Sequence, residues 1–323
     1  MTPRLPDRAL ALLALLAFAP GVAAQDESTE GALFLLLPVG AQGVSLGRAM
    51  TWVEGAEGAF WNPAGLAGVG SQAVIFRSDH VAGTAMALST LWSLSSLGTL
   101  GASYYLLDAG SIAQRDELGN PTGEITIRDH LGVVSFATRV LDELSAGLSF
   151  KVIRFQLSCR GICTDEGSTG TTYAVDAGIQ AVPMDRFRLG AMVAHLGPRL
   201  QVLNAEQADP LPSRVRVAAA YDVLDAIADT DELRGWVALE VEDRLKKLGS
   251  LSVFLGTEVV AGQGDALSLR AGYVWSQLDQ EDGGRVGLGL TYERFDLSIA
   301  KSLAVSTLTG ETEPIHVTFS IGF

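Results

Sequence analysis

The sequence predicts an all-β fold: a transmembrane antiparallel β-barrel of about fourteen strands, closed by an N-terminal hatch. Three observations lead there. In the last nine residues, Ile315 to Phe323, every odd position is apolar and every even one is small or polar; a strand turns successive side chains to opposite faces, so this segment has one apolar and one polar side. The same alternation recurs along most of the chain. Finally, 48% of the 323 residues are hydrophobic and the mean hydropathy is +0.27, yet beyond the first twenty-odd residues no run approaches the ~20 apolar residues that a spanning helix requires. Thirty-six glycines suit tight turns and crowded lumens and disfavour long helices.

The amino terminus carries an export signal. Arg4 and Arg8 flank Asp7, Ala9 to Ala19 form a short apolar core, and Val22-Ala23-Ala24 precede Gln25. That is a charged region, an apolar region too short to span a bilayer, and a small-residue cleavage site, so residues 1–24 read as a signal peptide cut after Ala24. No cysteine follows the site, which argues against a lipid anchor. Cleavage removes two arginines and one aspartate, taking the net charge from −14 to about −15. Such an acidic chain is unsuited to nucleic acid, whose phosphates demand a basic face.

Residues 25–70 form the tail and hatch. Gln25 to Glu30 is acidic. The following stretch is rich in Gly and Ala and lacks the period of two. Asn62 before Pro63 is pushed out of the helical basin, and Gly65 permits a sharp reversal. Short helical turns and loops, packed on themselves from about Leu33 to Gly70, are expected.

Leu37-Pro38-Val39-Gly40-Ala41, followed by Phe60-Trp61-Asn62-Pro63-Ala64-Gly65-Leu66, resembles the opening of the PorV/PorQ family of outer-membrane proteins. That family sits within the FadL-like group of barrels, where a similar Asn-Pro-Ala-Gly element lies in an amino-terminal hatch. The resemblance continues through Asp176-Ala177-Gly178, His195-Leu196-Gly197-Pro198, Leu211 to Val217, Leu269 to Tyr273 and Gly287 to Leu290, and so covers the mature chain. Where the family has an Asp pair before the element, this chain has Glu54 and Glu57 among glycines. The resemblance makes Trp61, Asn62, Pro63, Ala64 and Gly65 the hatch turn. It implies a component or cargo-binding shuttle of type IX-like protein secretion, with secreted proteins and translocon subunits as partners. The alternative it carries is a FadL-like channel for a hydrophobic ligand.

From residue 71 to 323 the chain reads as the barrel. Val215, Val217, Ala219 and Tyr221 make one apolar face; Val237, Leu239 and Val241 a second; Leu251, Val253 and Leu255 a third. Leu267 to Trp275, Val286 to Tyr292 and Phe295 to Ile299 follow the same rule, as do Leu144 to Val152 and Tyr173 to Ala181. These lengths suit tilted strands crossing a bilayer in ~9–11 residues, and closure removes edges that lipid cannot hydrate. Tyr221, Tyr273, Trp275, Tyr292 and Phe323, at segment ends, are candidates for an interfacial aromatic girdle. Phe319, Ile321 and Phe323 form a C-terminal insertion signature for the barrel-assembly machinery. A secreted β-sandwich also alternates, but so many consecutive segments of one parity outlast any single core. The export signal and the barrel together imply the outer membrane of a Gram-negative-type cell.

Longer polar connections are expected at Asp108–Gly123, Ser158–Gly170, Gly197–Pro210 and Asp225–Glu232, mainly on the outer side. Cys159 and Cys163 lie in the second. In an exported chain two such close cysteines suit one disulfide, with a two-thiolate metal site as the alternative.

The parity opposite the apolar one faces the lumen. It places Arg214, Arg216, Glu240, Glu242, Glu258 and Arg270 inward on neighbouring strands, where cross-strand pairs can form. These charges either hold the barrel shut against its hatch or line a solute path. Lys151, Asp176, Asp296 and His316 share the parity without an evident partner. None of the four histidines sits in a Gly-x-Ser-x-Gly or His-Glu-x-x-His setting. No enzyme, metal or cofactor is expected.

Overall fold

A computed structural model describes residues 30–323 except 81, 96, 164–166, 205, 226–231, 277–281 and 306–314. The signal-peptide segment 1–24 and most of the acidic tail lie outside the described residues. Among those described, fourteen strands form one closed antiparallel barrel, as the alternation predicts. They are β1 (Gln72–His80), β2 (Gly83–Ser93), β3 (Thr99–Arg115), β4 (Pro121–Leu141), β5 (Leu144–Gly161), β6 (Gly167–Met184) and β7 (Phe187–Leu196). The circuit continues with β8 (Arg214–Asp222), β9 (Leu233–Arg244), β10 (Ser252–Ala261), β11 (Ala266–Ser276), β12 (Gly283–Tyr292), β13 (Phe295–Ser302) and β14 (Ile315–Gly322). Each strand pairs with its neighbours in sequence, and β1 pairs with β14 to close the cylinder.

Exposure follows parity. On β8, Val217 and Tyr221 are exposed outward while Arg214 and Arg216 are buried inside. Leu239, Leu269, Leu288, Leu297 and Phe319 continue the outer apolar surface from strand to strand. A cylinder with apolar side chains outside and charges inside suits one solvent, a bilayer. The chain is therefore an outer-membrane β-barrel, with Tyr221, Tyr273, Trp275, Tyr292 and Phe323 exposed at strand ends.

Both ends of the described chain segment that carries the strands, Ser71 and Phe323, meet at one rim, where Phe323 N donates to Ser71 O at 3.0 Å. Short connections such as 142–143, 185–186 and 293–294 lie at that rim, which is the periplasmic arrangement of outer-membrane barrels. Two sequence expectations change. Much of Asp108–Gly123 and Ser158–Gly170 is strand: β3 to β6 run on for several residues past their neighbours, leaving connections of only 116–120 and 162–166. And the 223–232 connection joins β8 to β9 at the periplasmic rim, opposite the other three.

Inside the wall, residues 33–66 form a 3-10 turn at Leu33–Leu36, a short helix α1 (Ala41–Ser45), and 3-10 turns at Ala56–Ala59 and Pro63–Leu66. Val44, Leu46, Ala49, Met50, Leu66 and Asn62 are almost wholly buried. This segment runs the length of the lumen. Gly31 N donates to Pro210 O at the outer rim, whereas Ser71 stands at the inner one.

Candidate functional site: the hatch and the charged lumen

The hatch is built around three knots. In the first, Glu57 accepts hydrogen bonds from the Gln42 and Gly43 N–H groups at 3.1 and 2.9 Å, which satisfies the open start of α1. Thr318 of β14 donates to Glu57 at 3.0 Å and accepts from Ala41 N at 2.8 Å, tying the knot to the wall. Gly40 precedes it at φ +93°, and a Cβ there would run into the Glu57 carboxyl. Both the backbone angle and the space require glycine.

The second knot is the Trp61–Gly65 turn. The Asn62 side chain accepts from Ala64 N at 3.1 Å and donates to Thr51 O at 2.7 Å and to Ile179 O of β6 at 3.2 Å. Pro63 occupies the first position of the turn, where its missing N–H costs nothing. Gln180 of β6 donates to Thr51 O and Val53 O, both at 2.9 Å. The Trp61 indole donates to Val39 O at 2.8 Å, and Arg216 lies over its ring at 5.3 Å. The wall accommodates this turn with inward glycines: a Cβ on Gly178 would strike Asn62, and one on Gly147 would strike Pro63 and Ala64.

The third knot is electrostatic. Glu240 of β9 accepts from Thr51 N at 2.8 Å and from its hydroxyl at 2.7 Å. Arg214 grips Glu30 with two hydrogen bonds of 2.8 and 2.7 Å, the forked geometry that strengthens such pairs. Glu242 sits 2.5 Å from Arg216 and 3.7 Å from Arg214.

The six inward charges singled out from sequence are thus all in the lumen, but they divide their work. Glu258 and Arg270 pair across β10 and β11 at 2.5 Å, with Arg270 also donating to Ser298 at 3.1 Å. Arg216 and Glu242 pair across β8 and β9. Glu240 and Arg214 turn to the hatch instead. Lys151 of β5 meets Asp176 of β6 at 2.5 Å, and the His195 N–H donates to the same carboxylate at 2.8 Å. Asp296 accepts from Ser320 at 3.0 Å. Cys159 and Cys163 are joined as a disulfide at the outer end of β5, which leaves no thiolate for a metal. Phe319 and Ile321 face lipid on β14, and Phe323 ends the rim.

Sequence reasoning missed the wall glycines Gly147, Gly178, Gly190 and Gly272. The signal was available: a glycine inside a strand at inward parity marks a close backbone approach. It also missed the narrow, partly open cleft between the hatch and the β3–β8 wall, whose free volume with the hatch seated is about 20 Å³, room for little more than a water. Phe34, Leu35, Leu37, Leu131 and Met192 make it apolar; Tyr105, Arg48, Lys151, His195 and Arg216 put polar groups on its border. The Tyr105 hydroxyl is buried with no hydrogen-bond partner among the described residues.

Barrel, apolar belt and lumen-filling hatch define a class, the outer-membrane β-barrel closed by an N-terminal hatch. No family model matches the chain, and no curated protein matches it in sequence. Among solved structures it is similar to the toluene transporter TbuX of Ralstonia pickettii, at 12% identity and a TM-score of 0.61, covering 90% of this chain and 100% of that one. It is similar to the toluene transporter TodX of Pseudomonas putida, at 14% identity and 0.54, covering 92% and 98%. A Pseudomonas aeruginosa FadL homologue matches at 11% identity and 0.53, covering 88% and 98%. At such identities the likeness is one of fold.

Proposed function

We propose that this barrel is a channel for small hydrophobic molecules, gated by its hatch, and that it catalyses no reaction. The observation that carries the reading is the cleft against Phe34, Leu35 and Leu37, where apolar hatch side chains rest on a wall that also carries polar groups. It is too narrow for a solute while the hatch is seated, and a shift of Leu33–Leu37 would widen it into an apolar site with a few convergent polar groups. The unpartnered Tyr105 hydroxyl favours a solute with an apolar body and one hydrogen-bond acceptor. The toluene transporters of the same fold support it by analogy. Passage requires displacement of the hatch, because the lumen beneath the cleft is filled. The test is direct: barrel purified in mild detergent is extracted for bound apolar compounds, and deletion cells are assayed for uptake of those compounds. Extraction of none, with uptake unchanged, would overturn the channel.

A second reading is a cargo-binding component of type IX-like protein secretion. The Trp61–Leu66 resemblance favours it, as do Leu118 and Ile162, exposed at the tips of the overhanging strands. Capture of secreted proteins and translocon subunits from intact envelopes would favour this reading over the channel. In both readings Phe319, Ile321 and Phe323 serve as the handle for the barrel-assembly machinery.

A further inference from the structure

Cations on the lipid-facing side of the wall are confined to one rim. Outward strand positions near the periplasmic rim carry Trp92, Leu100, Val140, Tyr221, Val237, Leu267, Tyr292 and Ile321, and no charged residue among those described. Near the outer rim the same parity carries Arg77, Arg128, Arg154, Arg160 and Lys301, with the acids Asp79 beside Arg77, Asp108 beside Arg128 and Glu124 opposite Arg160. A chain of net charge −14 has therefore placed its outward cations at the level of one leaflet's headgroups.

They are densest on β4 and β5. His130 lies opposite Arg154, and Arg128 opposite Gln156. Thr171 of β6 lies opposite Arg154 on its other side. Immediately toward the membrane centre the surface becomes apolar and aromatic: Tyr104, Val134, Phe150, Val152 and Tyr173 are all exposed, with Phe150 and Tyr173 stacked at 5.8 Å. The Tyr104 hydroxyl is 2.6 Å from His130 Nδ1, which spans the boundary. Arg128 is held by Asp108 at 2.8 Å. Arg154 is exposed and has no acidic or hydrogen-bond partner among the described residues. Above this row the overhanging sheet continues with outward Ser111, Thr126, Gln156, Ser158 and Thr169, and ends at Glu124 opposite Arg160. An aromatic band, a row of cations and then a hydroxyl-rich face match, in order, the acyl chains, phosphates and sugars of a glycolipid.

We propose that the outward face of β4 to β6, centred on Arg154, Arg128 and His130, binds the phosphorylated headgroup of an outer-leaflet glycolipid. Arg154 supplies the free cation, Arg128 a forked guanidinium that exchanges Asp108 for phosphate, and the overhang the polar contacts to sugar. Phosphoglycerolipid offers the phosphate without the sugars and engages only the first part of this surface.

Native mass spectrometry of the full barrel released from detergent tests the site, with bis-phosphorylated lipid A, dephosphorylated lipid A and phosphatidylglycerol as probes. The expected result is retention of the bis-phosphorylated form over the other two, reduced about tenfold or more in the Arg128→Gln/Arg154→Gln variant and unchanged in Lys301→Gln. Equal retention of phosphorylated and dephosphorylated lipid A by the unaltered barrel would overturn the proposal without recourse to any variant. So would phosphatidylglycerol binding as well as lipid A, or Lys301→Gln losing as much as the double variant. Heat-modifiable migration on gels reports whether each variant is folded.

Discussion

The two ends of the hatch are fastened by different means. The inner end, around Asn62, is sewn to β6 by directed hydrogen bonds and lies against glycines of β5 and β6 that let the turn come close. The outer end, from Glu30 to Leu37, is held by the Gly31 N–H on Pro210 O, by one carboxylate forked on Arg214, and otherwise by apolar side chains resting on the wall. Directed bonds break all at once and leave polar groups stranded, whereas apolar contact can slide over a ligand of similar character. On the channel reading, the contrast assigns the movement to the outer end and the seal to the inner one.

The most damaging test falls on the wall beside both ends. Lys151→Met strands the Asp176 carboxylate, whose side chain is 2% exposed; losing one partner of a buried pair costs about 3–5 kcal/mol. A urea midpoint in detergent equal to that of the unaltered barrel would show that the His195 N–H suffices to hold the carboxylate. At the inner end, Asn62→Ala removes an acceptor for Ala64 N and donors to Thr51 and Ile179, at about 1–3 kcal/mol. Replacing Asn62, Pro63 and Gly65 together should loosen the hatch further and raise entry of bulky apolar antibiotics. Minimum inhibitory concentrations that do not move would make the turn an aid to folding only.

At the outer end, Glu30→Gln weakens a charge-assisted pair by about 1–2 kcal/mol. Amides of residues 31–37 should exchange hydrogen faster while those of 62–66 do not. Equal acceleration at both ends would erase the distinction drawn above. The smallest effect belongs to Cys159→Ser/Cys163→Ser. The ring it opens is short and lies on the overhang, so barrel stability should change by on the order of 1 kcal/mol or less. A larger drop, seen as early loss of heat-modifiable migration, would tie the overhang to the membrane-spanning wall.

Legibility in the sequence followed the solvent. Where a strand faces lipid, one parity must be apolar, so Val215 to Tyr221 and Ile315 to Phe323 announced themselves, and the opposite parity yielded Arg214, Glu242 and Arg270 as lumen charges. Where β3 to β6 leave the membrane, neither face has to be apolar, and Ser111 to Arg115 or Ser158 to Gly161 look like loop. Pairings were less legible still. Lys151 with Asp176, and Arg214 with Glu30, depend on register and on a hatch arriving from 184 positions away, neither of which local pattern encodes. The fold neighbours support the channel reading over the secretion reading that the Trp-Asn-Pro-Ala-Gly turn suggests, and that turn serves hatch construction in either case.

The seam between β1 and β14 imposes an order on biogenesis. Thr318 on the last strand reaches inward to Ala41 and Glu57, and Glu30 and Ser71 stand at opposite mouths of the cylinder. The Glu57 knot can therefore be completed only when β14 has taken its place in the wall, so docking of the hatch and closure of the seam are coupled.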